Sequence, residues 1–254
     1  MDITQKEAYS RGLPGSDVFV YRHLIYKDEL HRDFGTAYLN VEAYRSFLDT
    51  IWISKYPQIV EEIDTAIKNN FLTHTPLLWE KIQLQNLENF KIAAGFELAF
   101  KAILLRKNCI INLIKKITNF EDLSKQQWIR PILREEYFAI DDYRYDSQKC
   151  ENKLIGLQEG SIKFSTILDK NNYNYIILLD LPEDIMSIAN DYRNLRNEIH
   201  FPGIGGGLEL NFTKDNTLIY KIKDFINKYI VEVNNTIVSQ HNLHKNLILQ
   251  ELNF

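Results

Sequence analysis

The stretch Tyr192-Arg193-Asn194-Leu195-Arg196-Asn197-Glu198-Ile199-His200-Phe201-Pro202 sets two arginines, an asparagine and a histidine at helical spacing, just before a helix-breaking proline. On a helix of about 3.6 residues per turn, Arg193, Arg196, Asn197 and His200 fall within roughly 100° of one another. Two guanidiniums that keep their charge would sit beside an imidazole that titrates near neutrality. Such a face can bind a phosphate and move a proton next to it. An RNA backbone carries its own nucleophile, the 2′-hydroxyl. Cleaving it without a metal takes a base for that proton, an acid for the leaving oxygen and a cation for the developing charge. His200 suits the base or acid role. Arg193 and Arg196 suit the phosphate, and Asn197 can orient the histidine or donate to an oxyanion.

The element that presents this face is well delimited. Pro182-Glu183-Asp184 places proline at the first helical position and acids in the first turn, and the helix is predicted to run to about His200. Ile185, Ile188, Ala189, Tyr192, Leu195 and Ile199 form its apolar face. Pro202 and the glycines of 203–207 stop it. A helix from Thr75-Pro76 to about Lys107 is apolar almost all round between Phe90 and Leu105, as expected for the centre of a bundle. Within it, Glu97 and Lys101 stand four apart in the order that favours an intrahelical ion pair, and both are also candidates to contact the active face.

Elsewhere, 3–4 spacing predicts a helix over Thr36–Tyr56, a second from Pro57 to Asn70, and a last one from about Thr217 to Leu249. Gly12, Pro14, Gly15 and Gly35 punctuate the first part of the chain. Residues 118–175 read as an irregular insertion, with short helices at Trp128–Tyr137 and Ser161–Leu168. Tyr173–Leu181 reads as a strand or a buried turn, and Leu208–Phe212 as a short extended piece. The expected architecture is all-α: one domain over 1–254, an up-and-down helical bundle with an N-terminal helical extension over 1–75.

Composition narrows the function. Hydrophobic residues make up 45% of the 254, enough for a substantial core, so global disorder is excluded as an expectation. A formal charge of −4 argues against coating nucleic acid by bulk charge but permits a local cationic cleft. Cys109 and Cys150 are too few for a disulfide framework and lack metal-ligand spacing. The N-terminus has no apolar signal-like core, and the run Ile92–Leu105 is too short to span a bilayer. These features predict a cytoplasmic protein with no membrane association.

The stretch Arg193-Asn194 followed by His200 resembles the R-x(4-6)-H signature of the HEPN superfamily (higher eukaryotes and prokaryotes nucleotide-binding), in which Asn, Asp or His often follows the arginine. Phe96-Glu97-Leu98-Ala99-Phe100-Lys101-Ala102-Ile103-Leu104-Leu105 is similar to an acidic-then-apolar core helix of that family, and Ser161-Ile162-Lys163-Phe164-Ser165 to a segment that often precedes the catalytic helix. The resemblance covers residues 76–250. It implies an all-α bundle, a homodimer with a composite cleft at its interface, and metal-independent endoribonuclease activity on RNA with no cofactor. It also implies a role in antiphage defence or a toxin–antitoxin system with a partner protein. Catalysis would fall to Arg193, His200, Arg196 and Asn197, with Asn194, Glu97 and Lys101 toward the substrate. The commonest family form places one further residue before the histidine than Arg196 does, so either Arg193 is the family arginine or Arg196 acts at a tighter spacing. Position in the pattern favours Arg193. Pro202 stands where the variant regulated by tyrosine modification would have a tyrosine.

One helix supplies one histidine, whereas acid and base on opposite sides of a phosphate require two groups. A two-fold dimer would duplicate the helix across its axis and provide both. The alternative is a bundle of the same fold that binds RNA or a nucleotide, or regulates a partner, without catalysis. Other clusters are weaker. His241 and His244 have no evident third ligand, and His23, Asp28, His31 and Asp33 form a similarly loose group. The glycines of 203–207 lack the Lys-Ser/Thr of a phosphate-binding loop.

Overall fold

In a computed structural model the described residues are 29–48, 65, 68–69, 75–114, 130–138, 157–169, 171, 173–198 and 216–241. Of these, 81% are helical, and the fold is all-α. The elements are α1 (Glu29–Leu48), α2 (Thr75–Arg106), β1 (Asn112–Ile114), α3 (Arg134–Phe138), β2 (Leu157–Ser161), α4 (Phe164–Ile167), α5 (Tyr173–Leu179), α6 (Glu183–Glu198) and α7 (Asn216–Ile226). A π-helical turn (Asn227–Val231) then leads into α8 (Glu232–Gln240). Of the expected helix from Pro57 to Asn70, only residues 65 and 68–69 are described, and these are helical; the extended piece at 208–212 and the chain beyond residue 241 lie outside the described residues.

The chain divides into two compact units. The first comprises residues 1–39, 100–181 and 236–248, and the second residues 40–99, 182–235 and 249–254.

In the first unit, α2 ends at a left-handed residue, Asn108, with φ 64°. The Cys109 amide donates to the Leu104 carbonyl at 2.9 Å and the Asn108 amide to that of Leu105 at 3.0 Å. This pair of bonds satisfies carbonyls the helix would leave open, and Asn tolerates the left-handed conformation better than most residues. β1 and β2 form a two-stranded antiparallel sheet with Asn112 opposite Ser161 and Ile114 opposite Leu157. Phe100 and Phe164 meet edge to face, with ring centres 5.8 Å apart. The second strand ends where a helix was expected to begin, so the short helix there is Phe164–Ile167 rather than Ser161–Leu168.

Tyr173–Leu179 is a helix, not the expected strand or turn. Tyr175 and Leu179 are buried while Ile177 is 71% exposed, which is a helical period; a strand would place all three on one face. A short apolar run does not separate the two possibilities, and burial against neighbours decides. α5 ends on Asp180, φ 53°, whose amide donates to the Ile176 carbonyl at 3.2 Å. Lys107 Nζ donates to the Leu178 carbonyl at 2.6 Å and to that of Leu179 at 3.4 Å, capping the same helix end. α1 begins at Glu29, ahead of the expected Thr36, because Gly35 is a buried interior helix position and not a break.

The second unit centres on three rings. Phe47 of α1 meets Phe96 of α2 edge to face at 5.2 Å, and Phe225 of α7 lies 6.4 Å from Phe47 and 5.1 Å from Phe96. All three are at most 1% exposed. Gly95 lets the Phe47 ring reach the α2 backbone: a Cβ at position 95 would fall 2.8 Å from ring carbons of Phe47. Asn40 and Asn234, both buried, join α1 to α8 through a 3.0 Å bond from Asn40 Nδ2 to Asn234 Oδ1.

Candidate functional site

α6 is the scaffold of the candidate site. Glu183 and Asp184 occupy its first turn, where carboxylates complement the helix dipole. Lys221 of α7 lies 2.9 Å from Asp184, and its ammonium holds that carboxyl below the usual range. Ile185, Met186, Ile188, Ala189 and Tyr192 are buried, as the apolar spacing predicts, whereas Leu195 is 38% exposed. The apolar stripe therefore anchors the first three turns, and the last turn of the described helix carries a polar face.

On that face Arg196 Nη1 donates to Glu97 Oε2 of α2 at 3.0 Å. Both side chains are about a quarter exposed, 25% and 22%, so the pair is partly screened and contributes on the order of 1 kcal/mol or less to stability. Its larger effect is geometric: it fixes one arginine fork relative to α2. Arg193 sits almost one turn earlier and is half-buried. Its Nη2 donates to Asn194 Oδ1 at 2.9 Å. Its Nε is enclosed and meets no acceptor among the described residues. Asn194 and Asn197 are exposed. His200 lies just beyond the described residues.

Of the seven site candidates, the structure thus brings together Arg196 with Glu97, and Arg193 with Asn194. Lys101 belongs to the first unit, where it is 6% exposed and its ammonium donates to Ser161 Oγ at 2.9 Å, tying α2 to the end of β2. The sequence spacing suggested an intrahelical partner for both Glu97 and Lys101; each also has a bond to a distant element, Glu97 to Arg196 and Lys101 to Ser161.

A buried carboxyl, not singled out by the sequence, also bears on α6. Glu88 of α2 is only 2% exposed, and its charge acts on Tyr192, the residue before Arg193. Burial pushes the Tyr192 phenol well above its ordinary value, and Glu88 pushes it further. Glu88-Asn89 stands just before the stretch of α2 that is apolar almost all round, Phe90 to Leu105, and nothing in the spacing marks Glu88 as buried.

A second polar cluster stands in the first unit. His241 Nε2 lies 2.8 Å from Asp33 Oδ2, and Arg32 Nε donates to Asp33 Oδ1 at 3.0 Å. Arg32 Nη1 also donates to Asn108 Oδ1 at 3.1 Å. One member of each loose histidine–acid group in the sequence therefore meets the other. Among the described residues no three His, Cys, Asp or Glu side chains are grouped to hold a metal ion. Cys109 is buried and its thiol is pushed up to about 12 by burial, which leaves it unreactive. Among the described residues no helix is long and apolar enough to cross a membrane.

An open groove of about 420 Å³ in the first unit is lined by Lys107, Arg130, Pro131, Leu133, Asn174, Ile177, Leu178 and Asp180. None of Arg193, Asn194, Arg196, Asn197, Glu97 and Lys101 lines it. Arg130 Nη1 lies 2.8 Å from both carboxylate oxygens of Glu136, so that cation is already matched by an anion.

α6 carries one arginine paired to a carboxylate, a second bonded to a neutral amide, and exposed amides beside them, all groups that can donate hydrogen bonds to an oxyanion. No family model, no curated protein and no solved structure matches this chain.

Proposed function

We propose that the chain is a HEPN-like, metal-independent endoribonuclease of the cytoplasm, acting in antiphage defence or a toxin–antitoxin system. The observation that carries this reading is the Arg196–Glu97 pair on the same helix face as Arg193 and Asn197. Both arginines stand near the end of α6, Arg196 four and Arg193 seven residues before His200 in the chain, which supports the reading of one cationic face beside a histidine. Arg193 then engages the scissile phosphate, Arg196 offers its remaining guanidinium N–H donors in the orientation Glu97 sets, and His200 transfers the proton between the 2′-hydroxyl and the leaving oxygen. Asn197 stabilises charge on the phosphate or orients His200.

A composite site between two copies is the natural source of a second histidine. Leu87 and Phe90 of α2 are 51% and 48% exposed, and Leu195 of α6 is 38% exposed. Phe90 stands seven residues before Glu97, on the same face of α2 and about 10 Å along the axis. Leu195 adjoins Arg196 in sequence. Apolar surface that flanks a charged pair supports an isologous interface through this face.

The reading is tested by incubating single-stranded RNA with the protein and with His200→Ala in the presence of a chelator. Cleavage giving cyclic phosphate ends, lost in the variant, supports it. Binding without cleavage at any pH favours the non-catalytic RNA- or nucleotide-binding alternative.

A further inference from the structure

Arg193 and Arg196 differ in how well their donors are satisfied, and the difference has a functional consequence. Arg196 faces a carboxylate at 3.0 Å. Arg193 faces the amide oxygen of its own neighbour, Asn194, at 2.9 Å. Adjacent side chains on a helix diverge by about 100°, so they do not ordinarily meet. The Arg193–Asn194 bond therefore bridges that divergence through the two flexible side chains, and it ties the guanidinium to its neighbour. The same conformer leaves Nε enclosed with no acceptor among the described residues. Burying a donor without an acceptor is costly, and for a charged group more so. A neutral amide is also a weaker acceptor for guanidinium than an anion, since charge-assisted bonds are about twice as strong.

We infer that Asn194 is a positioning residue that holds Arg193 in a parked conformer, and that an RNA phosphate displaces the amide and turns the guanidinium onto itself. The inference rests on the reading of the α6 face as a phosphate-binding site and adds how that site is kept in its empty state. The parked bond competes with substrate, so Asn194 sets the affinity for the phosphate backbone. Turning onto a phosphate exchanges the single amide contact for a two-pronged one and removes the conformer that encloses Nε. Arg196 takes no part in the exchange, because its carboxylate partner is already an anion.

The test uses a fluorescent single-stranded oligoribonucleotide with 2′-O-methyl groups, which binds but has no nucleophile. Its dissociation constant is measured against the full chain, Asn194→Ala, Arg193→Ala and the double variant. Removing the competing amide is expected to tighten binding about three- to tenfold in Asn194→Ala, the effect of one solvent-exposed hydrogen bond. The gain should vanish in the double variant, because there is no longer a guanidinium to release. A merely structural role for Asn194 would loosen binding or leave it alone, not tighten it. Unchanged or weaker binding in Asn194→Ala overturns the inference, as does a gain that persists without Arg193. If Arg193→Ala binds as tightly as the wild type, the phosphate site itself is refuted. If Arg193→Ala loses binding and Asn194→Ala gains none, the site stands and the parked conformer alone is wrong.

Discussion

Arg196 Nη1 lies 3.0 Å from Glu97 Oε2, and this bond joins the end of α6 to the middle of α2. It assigns unlike roles to the two arginines of the face. Arg196 is held by a fixed anion, while Arg193 keeps a weaker neutral partner. Of the two, Arg193 is the one with capacity to engage a phosphate without first breaking an ion pair.

In the proposed mechanism Glu97 acts through Arg196. In Glu97→Gln the fork of Arg196 loses its charged anchor but keeps an amide acceptor. RNA cleavage is expected to fall about tenfold, corresponding to about 1.4 kcal/mol in the barrier. Thermal stability should change little, because a pair this exposed contributes about 1 kcal/mol at most. Turnover and melting curves on purified protein check both. Undiminished turnover would show that the pair is only a strut.

Gly95 is required by packing rather than by backbone conformation. In Gly95→Ala the new methyl would lie 2.8 Å from the Phe47 ring, which is fully buried and held by Phe96 and Phe225. Alanine is favoured over glycine in a helix by about 1 kcal/mol. Overpacking costs about 1 to 3 kcal/mol, so the net effect is expected to be destabilising. Urea unfolding should show a lower midpoint, and Gly95→Ala with Phe47→Leu should recover part of the loss. A stabilised Gly95→Ala would mean that the ring can move aside.

Glu136 gives a pH dependence with a definite sign. Burial pushes its carboxyl up, but the Arg130 guanidinium at 2.8 Å and the Leu133 amide at 2.9 Å outweigh burial and hold it below the ordinary carboxylate value. A carboxyl whose value is lower in the folded chain adds stability above its unfolded value and loses it as pH falls through the folded one. The pair is 40% and 38% exposed, so solvent screening keeps the contribution under about 1 kcal/mol. The stability gap between wild type and Glu136→Gln, measured by urea unfolding, should be larger at neutral pH than well into acid. A gap independent of pH would contradict the assignment.

Helical periodicity made much of this architecture legible. The start of α2 at Thr75 and the course of α6 from Glu183 follow from proline, acids and a 3–4 apolar stripe. α5 was not legible, because Tyr173–Leu179 is too short and too apolar for its period to show without the burial pattern. The β1–β2 pair was missed because three and five residues carry too few alternations to register. For the site, spacing identified which side chains share one face of α6. It could not identify which other helix presents a carboxylate to that face. Glu97 and Lys101 looked satisfied by each other at four residues apart, and so concealed the bonds to Arg196 and Ser161. The Asp33–His241 contact was hidden for the same reason, as its partners are 208 residues apart.

The most direct measurement of the central claim is RNA cleavage by the wild type and by His200→Ala, in EDTA, with product ends identified by mass. The proposed mechanism predicts cyclic phosphate ends from the wild type, unaffected by the chelator, and loss of cleavage in a variant with an unchanged circular dichroism spectrum. Cleavage retained by His200→Ala, or abolished by EDTA in the wild type, would contradict it.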